Sequence, residues 1–375
     1  MARTVESGIR ELRVERRRSA SDRGVCSGAR IRTPSQKARG KRPKGRIADF
    51  ASTLGEWYER ERRDLPWRAT RDPYRILVSE VMLQQTRAQA VIPYYRRFLE
   101  RFPSAQALAE AREDEVLTCW SGLGYYSRAR NLQKAARAIE DAGGFPRDYD
   151  GLRKLPGVGP YTAAAVASIV FDVPRAVLDG NVMRVIARLR NDAADIASLK
   201  TRGHFQQIAD ERLDQRHPGR FNQAMMELGA TICLPRAPRC ECCPVEAFCE
   251  ARRAGRERQL PVKRSKPAAE RIVRQVAVVK KNGAVLLRRR ADHESLMPGF
   301  WELPAPQDLP GWRDRHPAIG FFRHTITHHH FTITVVTGEI SHVPAGFRWH
   351  KTDRLPRMPL TTVSRKALRL AEAKQ

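Results

Sequence analysis

The alternation of apolar and polar positions changes character along the chain. Residues 1–46 are rich in Arg, Lys, Ser and Gly with almost no periodic apolar positions, which predicts a basic disordered tail. From Ile47 to about Glu250 the pattern is helical, in helix-length stretches separated by turns such as Leu65-Pro66, Gly143-Gly144-Phe145-Pro146 and Asp179-Gly180. Residues 251–271 are charged, contain Pro and hold little apolar content, so they read as a linker. Beyond them the period falls to two. Val276 and Val278, then Asn282-Gly283, then Val285, Leu286 and Leu287 predict a hairpin with a tight turn, and Thr325 to Gly338 predicts one long strand. The expected fold class is an all-α region, 47–250, followed by a small α+β domain, 272–375. No internal repeat is visible.

Composition narrows the partners. The chain has 375 residues, with 69 Lys and Arg against 41 Asp and Glu, a net charge of +28. That excess is large for an enzyme of neutral metabolites and points to a polyanion, most simply nucleic acid. A hydrophobic content of 41% excludes a wholly disordered chain. The longest apolar run, Val158 to Val173, is broken by Gly159, Pro160 and Asp172, so no membrane span is expected. The N-terminus lacks the apolar core of a secretory signal, and a cytoplasmic location, nucleoid-associated if the source is bacterial, is expected.

Five of the seven cysteines, Cys233, Cys240, Cys242, Cys243 and Cys249, crowd into one segment, while Cys26 and Cys119 stand apart. A disulfide framework would spread its pairs along a small secreted chain. Cys233, Cys240, Cys243 and Cys249 instead give C-x6-C-x2-C-x5-C, four thiolates for one centre. Zinc sites usually show two short knuckles or use His, whereas four thiolates without His also suit an iron–sulfur cluster; both remain open on spacing alone.

Three segments bear on chemistry. In the stretch Tyr74 to Thr86, Ile76, Glu80 and Leu83 are spaced i, i+4, i+7, which puts Glu80 where periodicity expects a hydrophobe. An acid in an apolar stripe keeps its proton more readily, as a general acid requires; a Glu at the stripe's edge, or one paired with Arg75, fits the same pattern. Leu155-Pro156-Gly157-Val158-Gly159-Pro160-Tyr161-Thr162 joins two helical stretches. Its glycines let backbone N–H groups approach an anion, and Pro160 suits the first turn of the next helix; a plain helix–helix turn fits the same pattern. Leu178-Asp179-Gly180-Asn181 precedes another helix, where Asp179 or Asn181 serves as an N-cap, or the Asp179 carboxylate faces developing positive charge.

Together these segments resemble the helix–hairpin–helix DNA glycosylases of the endonuclease III superfamily, and within it the MutY-type adenine glycosylases. The resemblance is carried by Leu65-Pro66-Trp67-Arg68, Ser79-Glu80-Val81-Met82-Leu83-Gln84-Gln85-Thr86, Trp120-Ser121-Gly122-Leu123-Gly124-Tyr125-Tyr126, the glycine hairpin, Leu178 to Val182, Phe221 to Met226 and the four-cysteine spacing. It implies an all-α glycosylase core with a six-helix module over about 71–179, the hairpin motif at 148–170, and a cluster module from 47–70 plus 180–250. It also implies removal of adenine mispaired with 8-oxoguanine or guanine in double-stranded DNA, by a monomer, after the base is flipped from the stack.

By the same likeness Glu80 protonates the purine and Asp179 stabilises the oxocarbenium-like sugar. Tyr161 and Asn181 hydrogen-bond that centre. Gln85 and Tyr125 wedge into the base stack, with Thr86 beside them on the DNA, and Gly157 and Gly159 grip the backbone. The four thiolates hold a [4Fe-4S] cluster with Cys242 as a bystander, and Arg236 and Arg239 face phosphates. Relatives that also cleave the strand usually carry a Schiff-base Lys immediately after the hairpin; this chain has Tyr161, which implies a monofunctional enzyme. An endonuclease III-like pyrimidine glycosylase with lyase activity, or an inert cluster-containing DNA-binding protein, are the competing readings.

The C-terminal region resembles a Nudix-like lesion-recognition domain through Pro298-Gly299-Phe300-Trp301-Glu302-Leu303-Pro304 and Phe322 to His328. No acidic helix of the Nudix catalytic type follows Pro304. The likeness places Ile326, Thr327 and His328 on the loop that recognises 8-oxoguanine, where the family commonly has Phe-Ser-His. Thr327 keeps a hydroxyl, and Ile326 loses an aromatic contact.

Overall fold

A computed structural model describes residues 47–264, 270–291, 293–294, 297–314, 317–326 and 329–373. The tail expected at 1–46 lies outside the described residues, as do Thr327 and His328.

The helical region runs α1 (Ile47–Glu61), α2 (Pro73–Leu83), α3 (Ala88–Arg101), α4 (Ala105–Glu110), α5 (Glu113–Trp120), α6 (Ser127–Asp141), α7 (Tyr149–Lys154), α8 (Pro160–Phe171), α9 (Gly180–Leu189), α10 (Leu199–Arg212), α11 (Pro218–Thr231) and α12 (Glu250–Arg253). Two of these helices form its centre. In α8 every residue from Thr162 to Ile169 is buried, and in α2 every residue from Ile76 to Met82 is. A helix apolar on all sides has no solvent face and must be surrounded. α8 accordingly packs against α2, α7 and α11, and α1 closes on α11 from the far end of the sequence. Asp72 starts α2 by accepting a 2.8 Å bond from the Arg75 N–H, with Pro73 in the first turn.

The segment read as a linker is in its first part a layer of the helical region. Leu260 is buried, its carbonyl accepts from Arg188 Nε at 3.0 Å, and the Ile196 N–H donates to the Val262 carbonyl at 3.1 Å. These contacts need one leucine and backbone oxygens only, so apolar content did not reveal them.

The C-terminal region holds β1 (Glu270–Val278), β2 (Lys280–Lys281), β3 (Ala284–Arg289), β4 (Trp301–Glu302), β5 (Arg313–Asp314), β6 (Gly320–Ile326), β7 (His329–Glu339), β8 (Phe347–Lys351) and α13 (Thr362–Glu372). In one sheet β7 pairs with β1 in parallel and with β5 and β6 antiparallel; in the other β3 pairs with β2, β4 and β8. Two expectations are corrected. The turn at Asn282-Gly283 forms with left-handed φ of 50° and 69°, but only Lys280–Lys281 pairs back onto β3. The strand bearing Val276 and Val278 belongs to the other sheet, because Ala277, Val278 and Val279 are buried in succession between the two small cores. The run Thr325–Gly338 is two antiparallel strands, β6 ending at Ile326 and β7 starting at His329, with those two residues paired. Alternation persists through both strands, so the period alone hid the reversal.

After Pro304 the chain makes a 3-10 turn, Pro306–Asp308. The described residues form one compact unit with a large helical core and two smaller cores in the sheets. Phe300 belongs to the helical core although it lies in the C-terminal region; its ring centroid is 4.1 Å from that of Tyr126. Around it Arg130 Nη2 donates to the Pro298 carbonyl, and Thr118 Oγ1 donates to the Arg357 carbonyl at 3.3 Å.

Candidate active site and DNA-facing loops

Glu80 sits near the end of α2 and is only 4% exposed. The Tyr161 hydroxyl, from the first turn of α8, donates to Glu80 Oε2 at 2.8 Å and also lies 3.0 Å from Met226 Sδ on α11. Burial pushes the Glu80 carboxyl up to about 7, against the Tyr161 bond and with the help of the Asp179 carboxylate; Arg68 opposes the rise. Tyr161 is raised well above its ordinary range by burial and by the charges of Glu80 and Asp179. Three positions separated by long stretches of sequence therefore share one electrostatic site.

Asp179 is the N-cap of α9. Its Oδ1 accepts from the Val182 N–H at 2.7 Å and its Oδ2 from Asn181 Nδ2 at 2.9 Å. Burial raises its pKa, while those bonds and the charge of Arg184 work the other way. The N-cap reading holds, and it does not compete with the chemical one: donors that start the helix also favour the ionised carboxylate. Glu80 receives one such donor and stands in an apolar surround, so the proton of the pair rests on Glu80. Asn181 is held in turn by Arg184, whose Nη2 reaches its Oδ1 at 2.9 Å while Nε donates to the Cys233 carbonyl at 2.7 Å.

The sequence reading missed the ion network beneath this pair. Glu227 on α11 is fully buried and accepts from Arg63 Nε and Nη2, each at 2.7 Å, and from Arg68 Nη2 at 2.6 Å. Burial pushes its carboxyl up, but the two guanidiniums overcome it and hold it at about 2. Arg68 lay inside a recognised string, yet nothing in the sequence linked it to a residue 159 positions away.

The hairpin Leu155–Gly159 joins α7 to α8. Gly157 has φ +74°, and a Cβ there would lie 2.5 Å from Asn131 Cβ, so only glycine fits. Gly159 has φ −79° and caps α8 without a side chain, and a Cβ there would meet nothing within 4 Å. The α8 N-terminus is thus open to an anion. Gln85 and Tyr125 are both exposed and both left-handed, with φ 57° and 49°; Thr86 beside Gln85 is half-buried. Arg236 is exposed and Arg239 half-buried in the loop between Cys233 and Cys240. Ile326 ends β6, and Thr327 and His328 lie outside the described residues.

Cys233, Cys240, Cys243 and Cys249 are free and half-buried; Cys242 is disulfide-bonded, outside that set. Burial pushes Cys243 up to about 12 and raises Cys240 and Cys249, and the neighbouring thiols add to each rise. Arg188 Nη1 lies 3.1 Å from Cys233 Sγ. Among the described residues no set of three or more His, Cys, Asp or Glu is arranged to hold a single metal ion.

A model of the HhH-GPD superfamily of base excision DNA repair proteins matches residues 78–211, and a NUDIX domain model matches 275–370. The adenine DNA glycosylase of Mus musculus is 36% identical over 404 residues, covering 87% of this chain and 78% of its own. That of Homo sapiens is 34% identical over 409 residues, covering 88% and 75%. Among solved structures, a thermostable thymine-DNA glycosylase superposes with a TM-score of 0.51 at 31% identity, over 56% of this chain and 97% of that one.

Proposed function

Because the chain belongs to the adenine DNA glycosylase family, we propose that it excises adenine mispaired with 8-oxoguanine or guanine in duplex DNA, using Glu80 as general acid and Asp179 as the oxocarbenium stabiliser. The observation that carries this reading is the Tyr161–Glu80 bond beside the Asp179 carboxylate.

Excision of a purine needs a proton on the leaving base and negative charge against the cationic sugar. Glu80, raised to about 7, holds its proton near neutrality while Tyr161 occupies Oε2 and leaves Oε1 for the base. Asp179, fixed by Val182 and Asn181, supplies the charge. Tyr161 stands where a lyase would need an amine and forms no imine, so the reaction ends at the abasic site. Lesion reading is assigned, by the family likeness, to Ile326, Thr327 and His328.

The four free thiols suit a [4Fe-4S] cluster: no His is among them, and they raise one another's pKa, as neighbours around one centre do. Cys233, Cys240, Cys243 and Cys249 would hold the cluster as thiolates, and so tied would fix the loop that carries Arg236 and Arg239. A broad visible absorbance band in the purified chain supports this assignment, and a colourless, fully active protein contradicts it.

The deciding experiment incubates the chain with an A:8-oxoguanine duplex and then with alkali. Strand scission in the wild type and none in Glu80→Gln is expected. Scission by the variant at the wild-type rate removes Glu80 from the mechanism, and borohydride trapping on an oxidised-pyrimidine duplex overturns the substrate.

A further inference from the structure

Arg128 is the largest polar commitment in the helical core that the chemistry above leaves unused. Only 8% exposed, it reaches two separate loops with one guanidinium. Nη1 donates to the carbonyls of Val81 at 2.9 Å, Met82 at 2.9 Å and Gln84 at 2.6 Å. Nη2 donates to Thr86 Oγ1 at 3.4 Å and to the carbonyls of Leu123 at 3.3 Å and Gly124 at 3.2 Å. The guanidinium carbon also lies 5.6 Å from the Tyr125 ring centroid. One loop carries Gln85 and the other Tyr125, and each of these residues is in the left-handed region, a strained state for a side chain larger than glycine.

We propose that Arg128 is a positioning residue for base eversion, which clamps the two loops together so that Gln85 and Tyr125 are held as a preset wedge before DNA arrives. The proposal rests on the reading that Gln85 and Tyr125 enter the base stack. Three features support it. The carbonyls at the end of α2 lose their helical partners and need donors, which Arg128 supplies. Burial lowers its pKa to about 10, so the chain tolerates a desolvated charge at this point. The planar fork spans two loops at once, whereas a lysine ammonium has one donor centre and cannot. Strain held in the free protein costs nothing further on binding, so eversion meets a rigid wedge rather than one that must first order.

The test is a double-mutant cycle on the full chain. Arg128→Lys keeps the charge and the volume but removes the fork. Single-turnover excision from an A:8-oxoguanine duplex is expected to fall roughly 10- to 100-fold, at a temperature where melting shows the variant still folded and with binding of undamaged duplex within about twofold. Fluorescence of 2-aminopurine placed opposite the lesion should fall in parallel, reporting lost eversion. In a Gln85→Ala/Tyr125→Ala background the same change should add less than about threefold, because the wedge is already gone. A wild-type rate for Arg128→Lys, or an undiminished loss in that background, overturns the proposal. If Gln85→Ala/Tyr125→Ala itself excises at the wild-type rate, the wedge reading fails without Arg128 having been touched. Should Arg128→Lys not fold, hydrogen exchange of the wild type decides. Thr86 and Leu123 amides protected like those of α2 support the clamp, and fast exchange at either overturns it.

Discussion

Under the proposed mechanism a single proton on Glu80 bears on both catalysis and stability. With its carboxyl at about 7, the acid is protonated below that pH and ionised above it, so single-turnover excision should fall as pH rises through about 7. A flat profile from pH 6 to 9 would show that the proton comes from elsewhere. Stability runs the same way. The unfolded carboxyl ionises near 4.5, so the penalty of burying the charge is absent below that pH, grows up to about 7 and is full above it. Glu80→Gln should therefore be equal to the wild type in acid and more stable at pH 8, by up to about 3 kcal/mol in denaturant melts. Glu227 has the opposite sign: held at about 2, it contributes stability above 4.5 that is lost as pH falls toward 2. Glu227→Gln, which strands two guanidiniums, should cost about 3–5 kcal/mol in the same melts. A change under 1 kcal/mol would mean that Arg63 and Arg68 find other partners. Glu80 was legible in the sequence because it breaks a periodic pattern. Glu227 and Arg128 were not, because their meaning lies in groups brought near by folding, and a charged residue in a basic chain draws no notice.

At the scale of elements, helix starts are readable where local chemistry sets them: Pro160 in the first turn of α8 and Asp179 before α9. The hairpin between α7 and α8 makes a sharp claim on its glycine. Gly157→Ala forces a side chain into a left-handed residue and against Asn131, and should cost about 1–3 kcal/mol in melting while weakening binding to any duplex. Unchanged affinity would take this hairpin out of the DNA grip. The α2 stripe was legible only in part. The pattern predicted one apolar face, but Ser79 and Glu80 are buried together, since a central helix has neighbours all round and period carries little information there. The β region was least legible. Its strands were sensed, but the sheet exchange after Val278 and the reversal beyond Ile326 depend on which strands pair, and alternation is blind to pairing.

On the scale of the whole molecule, charge and topology give separate predictions. The excess of +28 includes the basic residues of 1–46, and their removal should weaken binding to any duplex and flatten its salt dependence. Equal slopes with and without them would make that segment a spectator on DNA. The order of helical region then sheet region was plain from the change of period, but their joint was not, because Pro298-Gly299-Phe300 reads as part of a sheet domain and nothing marks its ring as belonging to another core. Phe300→Ala should cost about 3–5 kcal/mol, read as melting of the helical region. A change confined to the sheets would place the ring wrongly.

That ring also decides how the chain can be divided. Cutting before 272 to isolate the catalytic half pulls a plug from a socket walled by Tyr126, the neighbour of Tyr125. The truncated half would carry a greasy hole next to its own probe, prone to self-association and to a slackened grip on the mispair. A fall in its activity would then record surgical damage, and only a fragment with the socket refilled from the helical side would tell what the missing half contributes by itself.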